Sequence, residues 1–521
     1  MMGERVKEEP MYYYVTIEKL VPQDHYLRLV DSTIDFTFIR PMVKHLYSHT
    51  GKPSIDPVVL IKMLLIGYLY NIPSERRLEQ EIQVNLAYRW FLGCRLDEPI
   101  PDHSTISQTR KRRFKEDDTF QKIFDFIVDK CIQNGIASGK FLATDSTHIK
   151  ANASMKSLEP IIVEREPSQY LKLLEANCDI KDLPEFNLQT GTDTIIPSSQ
   201  TQVDPDLHVQ TGLKSANETP SLPLQTGAKE EQCPISNDTH ISKTDPDARL
   251  MTRPNKPKGL HYLNHITIDS LHKVITDVHV TAGNVNDHEP YIDRVTRQKE
   301  QFGFDIEKVT ADKAYGYAQI YHDLNQMDIN PYIPRQRYPG DKSIYPQNKF
   351  TYDAERDIYL CPKGEPLHKK GYSKSRNSNI YQSSQKTCSL CHDRMQCTTS
   401  KKGVRTIHRH IYHEDIENAL SNLKKPKAKE MAVFRKSVER IIAEAKGFHG
   451  MSRARRRGLS NVKEQCLMTA VVQNIKRLAA WTKKKASPAN QLTAIKTKVA
   501  NTVETLNYQL LNYPCFGFTT T

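Results

Sequence analysis

Between about residue 155 and residue 256 the chain all but loses its aromatic side chains, and Pro, Ser, Thr, Asp and Gln dominate. A segment of that composition buries too little apolar surface to offset the entropy of ordering itself. A tetrapeptide recurs within it, as LQTG at 188–191, VQTG at 209–212 and LQTG at 224–227. The uneven spacing fits a lengthened, disordered linker better than a stacked repeat. Any folded body in this chain must therefore be assembled from separated pieces, with 155–256 looped out between them.

The piece before the linker is helical. PVVLIKMLLIGYLYNI reads as a buried helix within 54–70; it is too short for a membrane span and is broken by Lys62. A second helix is expected from Ser74 to Gly93, with Leu78, Ile82, Leu86 and Trp90 on one face. Asp102 can cap a third, which carries Arg110, Lys111, Arg112 and Arg113. Helix, turn and basic helix is the outline of a helix-turn-helix DNA reader, or of a small bundle with a solvated basic end. Another helix covers 118–136.

A strand, Phe141–Ile149, leads into the linker. Beyond it, HYLNHITID and KVITDVHVT alternate around a short polar turn and predict a hairpin. Asn286-Asp287 can cap a helix over 288–300, IEKVTAD is a further strand, and a helix at 318–324 with NPYIPR completes a βαβ unit. The fold class expected is α/β: a mixed RNase H-like sheet flanked by helices, behind an all-α N-terminal domain.

Three acids stand out in that frame. Asp145 and Asp312 lie at the polar ends of strands, and Glu439 lies on a basic helix within 428–447. Carboxylates gathered from two strands and a helix suit divalent metal held against phosphate. At 100° per residue Arg435, Glu439 and Lys446 fall within roughly 40° of one another, beside the apolar face. Glu444 is a rival acid, but roughly 140° round the helix from Glu439. The plain alternatives are strand-ending Asp turns and an ordinary i,i+4 pair.

Cys361, Cys388, Cys391 and Cys397 cluster in a stretch, 337–425, that reads as a second insertion. Grouped thiols with a C-x2-C pair suit structural Zn²⁺ in a small β, zinc-ribbon-like insert, with His392 as a further candidate ligand. Lys+Arg of 74 against Asp+Glu of 61 leaves a formal charge of +13, which favours a polyanionic partner. Arg453, Arg455, Arg456 and Arg457 follow the Glu439 helix and are candidate DNA contacts. With no apolar N-terminal core, no signal peptide or membrane association is expected, and the chain reads as cytoplasmic.

Several motifs resemble bacterial insertion-sequence DDE transposases. R-x3-E-x6-K from Arg435 is similar to the back part of their Y-x2-R-x3-E-x6-K signature, with Ala432 where the Tyr stands. HGMSRARRRGLSNVKEQCLMTAVVQNIKRLA resembles the segment that follows it. TDSTHIKA and ADKAYGYA resemble the first- and second-Asp strands, DPDARL before HYLNH the approach to the second strand, and SERRLEQEI with PDHSTISQTRKRRF the N-terminal domain. The resemblance implies Asp145, Asp312 and Glu439 as the catalytic triad on two Mg²⁺ ions, with Mn²⁺ as substitute. It implies Arg435 and Lys446 on the DNA backbone, double-stranded element ends and target as substrates, and a homodimer or higher multimer on DNA in the nucleoid. The alternatives are a transposase-derived DNA-binding protein and a nuclease without strand transfer.

The expected organisation is a DNA-binding domain at 1–136, core pieces at 137–154, 257–336 and 426–485, the two insertions, and a tail from 486 to 521.

Overall fold

Capping residues set the N-terminal helices. In this computed structural model the described residues are 15–48, 50, 54–115, 117–161, 235–252, 258–336 and 344–485; the QTG repeats and the tail fall outside them. Two units form, Met1–Glu159 with Ile241–Thr521, and Pro160–His240; the first is the subject below. After α1 (Tyr26–Thr33), Asp56 accepts from Val58 N at 2.9 Å and Pro57 opens α2 (Pro57–Leu69). Ser74 caps α3 (Glu75–Val84). The single helix expected from Ser74 to Gly93 is in fact two. Asn85 breaks it and accepts from Ala87 N and Tyr88 N at 3.0 and 3.2 Å, starting α4 (Leu86–Leu92). Leu78 and Ile82 are buried, whereas Leu86 is exposed. Asp102 caps α5 (His103–Thr109), which runs on into a π-helical turn, Arg110–Phe114, before α6 (Thr119–Gln133).

The sheet is mixed. Five of its six strands are β1 (Phe141–Lys150), β2 (Gly259–Asp269), β3 (Ile275–Ala282), β4 (Lys308–Thr310) and β5 (Asn330–Pro331), in the order β3-β2-β1-β4-β5; the sixth, Arg249–Met251, pairs antiparallel with the start of β2. Strand β2 is antiparallel to β1 and β3; β4 is parallel to β1 and to β5. The linker thus joins two strands that pair with each other. Every residue of β2 is buried, including the polar half of its alternation. Polar groups on both faces find partners: Thr267 meets Thr144 hydroxyl to hydroxyl at 2.8 Å, and Tyr262 OH donates to Asp245 at 2.6 Å. Helices α7 (Tyr291–Phe302) and α8 (Ala318–Gln326) connect β3 to β4 and β4 to β5.

The stretch 337–425 contains an antiparallel meander: β6 (Thr351–Asp353), β7 (Ile358–Leu360), β8 (Pro366–Ser373), β9 (Ser378–Ser383) and β10 (Thr406–His410). It has its own small core of Phe350, Tyr359, Leu367, Tyr381 and Ile407. Three helices follow, α9 (His413–Asn422), α10 (Lys427–Phe448) and α11 (Leu459–Lys485).

Helix α11 is the common wall of the unit. It packs on α1, α2, α6 and β3, and its Val462, Leu467, Val471 and Ile475 join one apolar core with the N-terminal helices and the sheet. The DPDARL segment caps it: Asp245 accepts from Gly458 N at 3.0 Å and Asp247 from Leu459 N at 2.9 Å. Asn474 bonds both backbone groups of Ile275 at 2.9 and 2.8 Å, which closes part of the open edge of β3. Among the described residues no helix is long and apolar enough to cross a membrane.

Candidate active site

The parallel pairing of β1 with β4 brings two of the acids side by side. Ala143 stands opposite Thr310. Asp145 follows two residues later within β1, and Asp312 two residues past the end of β4 at the start of a tight turn, near enough for the Asp312 charge to act on Asp145. Each carboxylate is oriented locally: Asp145 Oδ1 accepts from Ser146 N at 2.8 Å, and Asp312 Oδ1 from Ala314 N at 2.8 Å. Gly316 ends the tight turn after Asp312, where a Cβ would sit 2.2 Å from the Pro334 carbonyl oxygen.

Burial and like charge load this pair. Burial, with the Asp312 and Asp287 charges added, pushes the Asp145 carboxyl up to about 6. Burial also raises Asp312, with Asp287 again contributing. Arg435 lowers both, so its guanidinium is near enough to act on the two strand acids.

Helix α10 supplies Arg435 by packing Phe434, Val438, Ile441 and Ala445 inward against the sheet. On its shoulder Glu439 is exposed, while Arg435 and Lys446 are half-buried. Glu444 faces another way. Burial opposes its ionisation, but His449, Lys476 and Arg477 together hold the carboxyl well below the usual range. Lys476 and Arg477 reach it at 2.6 and 3.0 Å, so Glu444 is committed to joining α10 to α11.

Asp287 was not legible as a site residue in the sequence, where Asn286-Asp287 reads as a helix cap. Helix α7 begins later, at Tyr291, and Asp287 instead accepts from Ser146 Oγ at 2.8 Å. One dimension gives no signal that separates the two roles.

The family comparisons fall on either side of this pair. A family model described as Transposase domain (DUF772) matches residues 15–112. A second, Transposase DDE domain, matches residues 360–479, which takes in the cysteine cluster and Glu439 but neither Asp145 nor Asp312. The chain is a DDE-type transposase. No curated protein matches it. Among solved structures, a cryo-EM piggyBac transposase synaptic complex with hairpin DNA is similar at TM-score 0.28 and 9% identity, over 95% of this chain and 86% of that one. A likeness that low carries no argument here.

The basic residues of the transposase divide by direction. Lys111, Arg112 and Arg453 are exposed. Arg113 lies over the Tyr47 ring at 4.4 Å. Arg110 turns inward, 5% exposed, onto Glu75 and Glu464. Arg456 meets Glu464 at 2.6 Å. Arg455 lies over Tyr68 and donates to Ile72 O and His449 O at 3.3 and 3.2 Å. A guanidinium held in that way has little left for a phosphate. Arg453 belongs to the segment that docks on the end of β1, where Ala454 N donates to Lys150 O at 2.8 Å.

The four cysteines of the transposase line one cavity of the meander, with Leu367, Ser383 and Arg405. Burial raises the Cys397 thiol, and the other three sulfurs add to it. Elsewhere, Glu79, Asp102 and His103 are a group with ligand atoms within 4.8 Å of one another. These side chains already hold the start of α5. Glu79 accepts from His103 N at 2.9 Å and Asp102 from Ser104 N at 2.7 Å.

Proposed function

We propose that Asp145, Asp312 and Glu439 form the metal-binding triad of a Y-R-E-K-type insertion-sequence transposase with an RNase H-like core. The observation that carries this is that Asp145 and Asp312 each stand two residues beyond Ala143 and Thr310, the last paired positions of the parallel strands β1 and β4. Two carboxylates so placed, raised by burial first and by neighbouring acids second, suit a pair of divalent ions. Bound Mg²⁺, or Mn²⁺, would activate the attacking oxygen and stabilise the leaving one. Asp145, Asp312 and Glu439 would hold the ions, and Arg435 would hold a phosphate beside them. Water attacks the phosphodiester at the element end, and the freed 3′-hydroxyl then attacks target DNA.

Lys111, Arg112 and Arg453 are exposed as DNA contacts require, and the N-terminal helices are the proposed end-binding part. Two ends must be joined, which calls for a dimer or higher multimer acting on DNA in the cytoplasm. The test is an assay of purified protein on DNA carrying the element's terminal inverted repeats. Mg²⁺-dependent cleavage followed by joining to a target plasmid is expected. Cleavage without joining makes the protein a nuclease, and binding without cleavage makes it a DNA-binding descendant.

The cysteine cavity is the proposed site of structural Zn²⁺, with Cys361, Cys388, Cys391 and Cys397 as its thiol lining, and a cation there would relieve the raised Cys397 thiol. Cys388→Ser with Cys391→Ser is expected to lower zinc to background in elemental analysis and to leave the meander open to protease. A zinc content equal to that of the wild type in the double variant would end this assignment.

A further inference from the structure

Asp287 lies outside the proposed triad, yet its neighbours tie it to both strand acids. Ser146 bonds two carboxylates at once, donating its hydroxyl to Asp287 Oδ1 and its backbone N–H to Asp145 Oδ1, both at 2.8 Å. One residue beyond Asp287, His288 stacks on Tyr317 with ring centroids 3.9 Å apart and planes 26° from parallel. Tyr291 meets Tyr315 edge-on at 5.0 Å. Tyr315 and Tyr317 belong to the turn that Asp312 begins. The loop carrying Asp287 is therefore bound on one side to the β1 acid and on the other to the β4 acid.

A second observation marks the same spot. The Tyr315 hydroxyl is in a side chain only 1% exposed, and it has no hydrogen-bond partner among the described residues. Burial raises it far above the usual range, and the charges of Asp287, Asp145 and Asp312 all add to that. A buried donor left without a protein partner beside three acids points to a ligand between them.

We propose that Asp287 is a further carboxylate ligand of the divalent metal centre, beside Asp145 and Asp312. The inference rests on the two-metal reading of that site. Mg²⁺ needs near-octahedral oxygen coordination, and each added carboxylate replaces a water it would otherwise keep. Two divalent ions held by three carboxylates retain a positive charge; a fourth carboxylate balances them before the DNA phosphate arrives. Ser146 then has a defined part, holding Asp287 in place when metal is not bound.

The experiment is calorimetric titration of Mn²⁺ into metal-free wild type, Asp287→Ala, Asp287→Asn and Asp145→Asn, with thermal melts and end-cleavage assays on each. Asp287→Asn keeps the shape and the Ser146 contact, so it stays informative if the alanine variant does not fold. The expected result is Mn²⁺ affinity weakened about tenfold or more in a folded Asp287→Asn protein, with cleavage reduced in parallel. Unchanged Mn²⁺ affinity in that variant overturns the inference, even if its melting temperature or its cleavage falls. If Asp287→Asn binds Mn²⁺ normally while Asp145→Asn does not, only the fourth ligand is lost. Normal binding and cleavage by Asp145→Asn removes the triad reading itself.

Discussion

Asp145→Ala is expected to lower Mg²⁺-dependent cleavage of end-bearing DNA by about 10³-fold or more, equivalent to roughly 4 kcal/mol of transition-state stabilisation. End binding should stay within about twofold, since the exposed basic residues are untouched. The size follows from position. Asp145 is the strand acid on which Asp312, Asp287 and Arg435 all act, and no other carboxylate on β1 can replace it. Asp312→Ala should cost about as much, and Glu439→Ala less, because Glu439 stands exposed on its helix. Gel-shift and cleavage assays on one DNA substrate separate the two effects; full cleavage by Asp145→Ala would falsify the triad.

The same carboxyl gives a signed pH dependence. It is raised from its ordinary 3.8 to about 6 by burial first and by neighbouring acids second. A metal-free fold therefore keeps its proton here when the unfolded chain has lost it. This contribution to stability is intact below pH 4 and is lost as pH rises through about 6. Bound metal reverses the penalty, so the Mg²⁺-induced rise in melting temperature should grow above pH 6 and vanish in Asp145→Ala.

Glu464→Ala is the largest stability loss we expect, about 3–5 kcal/mol. Glu464 is 5% exposed and faces two guanidiniums, Arg456 at 2.6 Å and Arg110 at 3.5 Å. Without it, Arg110 remains out of water with only Glu75, while Arg456, half-buried, keeps Asn461 at 3.4 Å. Domains are marginal by about 5–15 kcal/mol, so a loss of that size lowers the folded population visibly. Glu464→Gln retains the shape and one acceptor and should lose less. Denaturant melts of the two variants check the order; equal melts would mean that charge is not what Glu464 contributes.

The sequence placed Asp312 just past the end of a strand, as found, but Asp145, expected at a strand's polar end, lies in the middle of β1, which runs on to Lys150 because β2 pairs with its whole length. The sequence made the α10 face legible through apolar spacing. The limits were physical. Arg110, Lys111, Arg112 and Arg113 look alike in a row, but the π-helical turn sends Arg110 inward to Glu464, 354 positions away in the chain. Arg455 and Arg456 are likewise drawn inward by partners no local pattern announces. Asn85 could have been found, since a cap-type residue before a helical run is a local signal. Asp287 could not, because its role depends on where Ser146 and the Asp312 turn arrive in space.

The common wall made by α11 has a mechanical consequence. The N-terminal helices and β3 of the sheet lean on this one helix, whose start is fixed by Asp245 and Asp247 and whose middle is fastened to β3 by Asn474. In the proposed reading, the part that grips DNA and the sheet that cuts it are therefore joined through one shared apolar core.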